Sequence, residues 1–151
     1  MINRIAVAGF VGAVLLASAV AVAKGGGTAV LDPVGDLKWV DAPDSPAPGV
    51  KMAVVQGDPS KGASHFFVKL PAGFSAPLHH HTPDHYVAVV TGTATYNVDG
   101  KDYTLPPGSY FSFTGKKQHT TKCNEGADCV FFVDARGKWD LIVAKAPAPK
   151  K

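Results

Sequence analysis

The chain has 151 residues, 46% of them hydrophobic and 18% charged, with 16 glycines and 12 prolines. That length suits one domain with tails, and the composition is globular rather than disordered or collagen-like. The net charge of +3 is mild and no basic stripe with interleaved aromatics occurs, so nucleic acid is not an expected partner.

Residues 5–23 carry no charge, follow Arg4 and end in Ala21-Val22-Ala23, a small-x-small pattern that a signal peptidase accepts. The expectation is a secretory signal peptide over residues 1–23, cleaved before Lys24. The competing reading is an uncleaved anchor, since this stretch can nearly span a bilayer. Its Ala, Val and Gly content gives weak membrane affinity, which favours cleavage, and no cysteine marks a lipoprotein site. Either way the domain is expected outside the cytoplasm, most simply in a bacterial periplasm. Removing 23 residues leaves 128, and losing Arg4 lowers the net charge to +2.

Residues 24–36 read as a loose lead-in and residues 144–151 as a Pro/Ala/Lys tail unable to bury anything. Between them, residues 37–143 show no convincing 3.6-residue period. Short β-rich runs recur instead, at 37–40, 51–55, 65–70, 86–90, 94–98, 102–105, 110–113, 130–134 and 139–143. Asp99-Gly100 is the sharpest turn signal, because a two-residue hairpin needs positive φ. Pro71-Ala72-Gly73 and Pro106-Pro107-Gly108 are further breaks. Many short strands with such punctuation indicate an all-β, antiparallel sandwich or barrel.

The chemistry concentrates in His79-His80-His81-Thr82-Pro83-Asp84-His85. On an extended strand alternate side chains share a face, so His79 and His81 point one way and His80 the other. His85, four residues on, returns to the first face if Pro83 preserves the alternation. His119 lies 34 residues further along, where antiparallel pairing can bring its strand beside the first. Four imidazoles converging inside a barrel suit one divalent first-row metal ion.

These residues carry a resemblance to the cupin superfamily, small barrels of double-stranded β-helix (jelly-roll) type. The first cupin motif is G, five residues, H-x-H, three or four residues, E, six residues, G. Gly73, His79, His81 and Gly92 fall on that spacing. The second places a histidine eleven residues after a P-x-G glycine, as Gly108 and His119 are placed. Within the superfamily the chain resembles small cupins of unassigned function that carry runs like Pro106–Tyr110 and His119–Cys123. It departs in three places. His85 stands at the family's glutamate ligand position, and Glu125, the sole glutamate of the chain, lies outside the motif. Thr114 replaces the usual proline, and Cys123 the usual asparagine. A four-histidine site is a known cupin variant, so the resemblance implies His79, His81, His85 and His119 as metal ligands.

Other candidates read more simply as structure. Asp84 has the wrong alternation to act in place of His85. His80 is expected to face outward or pack behind the ligands, and His65, flanked by Phe66 and Phe67, to be a satisfied wall residue. One of Tyr86, Tyr96, Tyr103 and Tyr110 can line the pocket, without a sign of which. Trp39 and Trp139 read as packing. Cys123 and Cys129 stand at the feet of a short loop, and in an exported protein a disulfide is favoured over a free thiol near the metal. Closing that loop contributes about 2–2.5 kcal/mol in the chain-entropy model.

Neutral imidazoles leave a divalent ion's charge uncompensated, so the site should attract an anionic or chelating ligand such as a carboxylate, enolate or diol. The affinity series favours copper and zinc, and the resemblance adds iron, manganese and nickel. Three functions fit. One is a small metalloenzyme of dioxygenase or lyase/isomerase type acting on a small oxygenated molecule. The second is a non-catalytic ligand-binding module, since no general acid or base is identifiable. The third is a metal sensor resembling the cupin domains of anti-sigma factors, which lacks a partner domain here. A homodimer is conceivable through an exposed edge near residues 37–40.

Overall fold

The computed structural model describes residues 28–43, 45 and 48–145. The expected signal peptide, the first residues of the lead-in and most of the tail lie outside the described residues. The remaining lead-in holds a single 3-10 turn at Val34–Asp36. Eleven strands follow among the described residues: β1 Val40–Asp41, β2 Lys51–Gly57, β3 Ser64–Leu70, β4 Ser75–His80, β5 His85–Thr91, β6 Ala94–Val98, β7 Lys101–Leu105, β8 Tyr110–Phe113, β9 His119–Cys123, β10 Cys129–Ala135 and β11 Ile142–Val143.

They form two antiparallel sheets. One has the order β1-β2-β3-β10-β5-β8, the other β11-β4-β9-β6-β7. Strands distant in sequence lie side by side, as a jelly roll requires. The expected Asp99-Gly100 turn joins β6 to β7, with φ of 53° and 82° at its two residues. The fold class is therefore the expected one.

Period-2 patterning explains which residues face inward. In β10, Cys129, Phe131, Val133 and Ala135 are buried, while the residues between them are half-buried on the outer face. In β5, His85, Val87 and Val89 are buried, and Tyr86, Ala88 and Val90 exposed. Phe66, fully buried, packs edge-on against Trp139. Tyr96 packs against Phe111 at 4.5 Å between ring centroids. These side chains close the interior between the sheets, except around the histidines.

Two expected strands are shorter than their sequence suggests. Of residues 37–40 only Val40 is in a strand, continuing to Asp41 and paired with Met52 and Lys51. Of residues 139–143 only Ile142–Val143 pairs, with His80 and His79. The preceding residues are held otherwise: the Trp139 N–H donates to the Pro59 carbonyl, and the Asp140 carbonyl accepts from His81.

Candidate metal centre

Each histidine of the constellation is placed by a different feature of the chain. A bulge in β4 between Ala76 and His79 turns Pro77 and Leu78 outward together, and this resets the phase so that His79 faces in. His79 pairs directly with His119 of β9, the antiparallel return expected from the sequence. His81 follows the end of β4, and a tight turn over residues 81–84 brings His85 back at the start of β5. All four rings are buried, with relative exposures of 2–8%.

His79, His81 and His119 offer ligand nitrogens that all lie within 4.8 Å of one another, so this triad can hold a metal ion. His85 is outside that group but adjoins it. Its ring centroid is 5.0 Å from that of His81 and 6.4 Å from that of His119.

One hydrogen-bond pattern runs through all four. Nδ1 of His79 donates to the Pro77 carbonyl, of His81 to Asp140, of His85 to Pro83 and of His119 to Lys117. A carbonyl oxygen can only accept, so Nδ1 carries the proton and Nε2 is left with a lone pair. Among the described residues no hydrogen bond engages any of the four Nε2 atoms. Orientation of a ligand histidine through its other nitrogen is the usual support of a metal site. Burial also holds the rings neutral. It lowers the pKa of His79 and His85, takes that of His81 down to about 2 and that of His119 to about 3. A neutral imidazole is the form that ligates. The donor set thus fits a divalent ion on its own chemistry.

Aromatic walls fix the rings. Trp139 stacks on His81 at 4.0 Å and 19° between planes, and Phe113 on His119 at 4.3 Å and 15°. Both were missed from the sequence: Trp139 had only its composition to recommend it, whereas Phe113 sits on an alternating Phe-Ser-Phe strand. Of the four tyrosines Tyr96 is the pocket residue. It is 6% exposed, stands directly opposite Thr121 on β9, and its hydroxyl pKa is raised by burial. Tyr86, Tyr103 and Tyr110 are exposed.

The other sequence candidates lie elsewhere. The Asp84 carboxylate accepts from the Gly115 N–H, outside the cavity. His65 bonds Gln56 and approaches Asp134, as a satisfied wall residue should. His80 lies behind the ligand row, half-buried. Cys123 and Cys129 are joined in a disulfide.

The histidines open onto a cavity of about 110 Å³, lined otherwise mostly by apolar side chains including Met52, Val87, Phe131 and Leu141, with the hydroxyl residues Ser45, Tyr96 and Thr121 among them. Among the described residues no aspartate, glutamate, lysine or arginine lines it.

Residues 27–142 match the family described as a domain of unknown function, DUF4437. This chain is a cupin of the DUF4437 family. The cupin resembles several solved structures. Polyketide cyclase RemF of Streptomyces resistomycificus superposes with a TM-score of 0.64 at 17% identity, over 75% of this chain and 83% of the cyclase. An RmlC-like cupin of Ralstonia eutropha JMP134 gives 0.58 at 28% identity, over 74% of each chain. The DNA damage-repair/toleration protein DRT102 of Arabidopsis thaliana is 31% identical over 98 residues, 64% of the cupin. The matched region spans only 30% of that plant protein.

Proposed function

We propose that this cupin is an exported metalloenzyme that holds one divalent ion on His79, His81, His85 and His119 and acts on a small oxygenated molecule. The observation that carries the reading is the shared orientation of the four rings, each with Nδ1–H on a backbone carbonyl and a free Nε2. His85 has the same support as the triad and lies against His81. Iron, manganese, zinc, copper and nickel all accept such nitrogen donors. A bound ion of this kind supplies Lewis-acid polarisation of a substrate oxygen and, with a redox metal, dioxygen chemistry. The protein's own part is to keep four neutral donors aligned, exclude water with Trp139, Phe113 and Phe131, and present an apolar wall to the substrate body. Lyase, isomerase or cyclase chemistry and oxidative cleavage both remain within this description, and a similar barrel in RemF belongs to a cyclase.

A second reading, a ligand-binding or metal-sensing module, is favoured by one observation: among the described residues the cavity lining holds no carboxylate to act as general base. Export is supported by the residues 1–23 pattern and by the Cys123–Cys129 bond, a feature of oxidising compartments.

Metal analysis of untagged protein should find about one ion per chain. His81→Ala should lose most of it, and unchanged occupancy would reject the ligand set. Oxygen uptake in the presence of candidate substrates separates oxygenase from non-redox chemistry, and no turnover or uptake with any metal favours the binding module. Mass spectrometry of protein recovered from the periplasm should show a chain beginning at Lys24.

A further inference from the structure

Resting on the metal-site reading above, we infer that the site selects a compact chelating ligand with an apolar body and no charged group beyond the chelating head. Sugar acids and acids that carry a charge outside that head are rejected by it. The size comes first. The cavity of about 110 Å³ is smaller than the ~150 Å³ cavity that admits benzene, so the enclosed part of a ligand is no larger than a small ring or a short branched chain.

Charge comes second. Among the described residues, no carboxylate, ammonium or guanidinium lines the cavity. Asp140 and Asp84, each next in sequence to a lining residue, are engaged elsewhere: the Asp140 carboxylate accepts from the Thr82 N–H, and that of Asp84 from the Gly115 N–H. Among the described residues no arginine or lysine lines the cavity to meet a further anionic group. An ion's two positive charges would be spent on the chelating head, and a carboxylate beyond that head would be buried without a cationic partner among the described residues.

Hydrogen-bonding capacity comes third. Besides the histidines, the described polar side chains on the lining are Ser45, Tyr96 and Thr121, the last two directly opposite each other on β6 and β9. A polyol would find its hydroxyls facing Val87, Val133, Phe131 and Met52, with nothing to accept from them. The ligand that satisfies all three limits has two oxygens for the ion and methyl-sized or single-ring substituents for the walls.

Acetylacetone and 3,5-dioxohexanoate test this directly. Both chelate through the same two ketone oxygens, but one ends in methyl groups and the other carries a carboxylate beyond the chelating head. Zinc is the loading ion because it has no redox chemistry. Zinc content is measured first, then titration calorimetry with each probe. The expected result is one zinc per chain and acetylacetone bound at least tenfold more tightly than the dioxo acid. Leu141→Lys, a half-buried position on the lining, should move that ratio at least tenfold toward the dioxo acid without changing zinc content. Absence of zinc binding would overturn the metal-site reading and this inference together. Zinc binding with the dioxo acid held as tightly as acetylacetone, or a ratio unmoved by Leu141→Lys, would overturn this inference alone.

Discussion

At the scale of single residues, the four buried histidines carry a stability consequence that does not need a metal. Their folded pKa values lie below the ordinary 6.5, His81 at about 2 and His119 at about 3, because burial opposes the charged form. The unfolded chain therefore takes up protons below pH 6.5 that the native state refuses. The stabilisation is complete above pH 6.5 and is lost as pH falls toward the folded values, by about 1.4 kcal/mol per pH unit for each such histidine. Chelator-treated protein should show a urea midpoint that drops clearly from pH 7 to pH 5. His81→Gln should flatten that slope, and a midpoint independent of pH would contradict the burial of neutral rings. His79, His81, His85 and His119 were legible because motif spacing singles out histidines. Trp139 was not, since it reaches His81 across 58 positions and only three-dimensional packing decides which tryptophan does so.

Between residues and the whole lie the strands and their junctions. The disulfide joins the last residue of β9 to the first of β10, and these strands belong to different sheets. Replacing both cysteines by serine should destabilise the protein by about 2 kcal/mol on loop-closure entropy. Denaturant titration of the double variant checks this, and no loss of stability would show that the two strands are held without it. Gly92 tightens the same corner. Its φ is +71°, and a Cβ there would meet the Asp128 carbonyl oxygen at 2.6 Å, which is why that motif position takes glycine. Strand phase was readable where Val and Phe alternate, as in β10. It was harder in β9, whose inward residues are His119, Thr121 and Cys123 and show no hydrophobic period. The bulge that turns His79 inward leaves no trace in the pattern of Ala76-Pro77-Leu78.

For the molecule as a whole, an ion bound only by the folded barrel adds its binding free energy to stability. At a free concentration 1,000 times the dissociation constant that is about 4 kcal/mol. Adding zinc to chelator-treated protein should raise the melting temperature, and His79→Ala should abolish the rise. An equal rise in that variant would place the ion elsewhere. The jelly roll itself was legible, because two half-motifs in register at residues 73–92 and 108–119 demand a barrel to bring them together. The cavity's size and its largely apolar lining were not, being properties of residues drawn from many strands. The ring tethers have one more implication. Every acceptor that orients a histidine is a main-chain oxygen, contributed by positions 77, 83, 117 and 140. Any amino acid brings the same oxygen, so the aim of the rings is written into the path of the chain and survives drift in those side chains. Lys117 in particular can be exchanged over evolutionary time while the imidazole two positions on keeps its bearing.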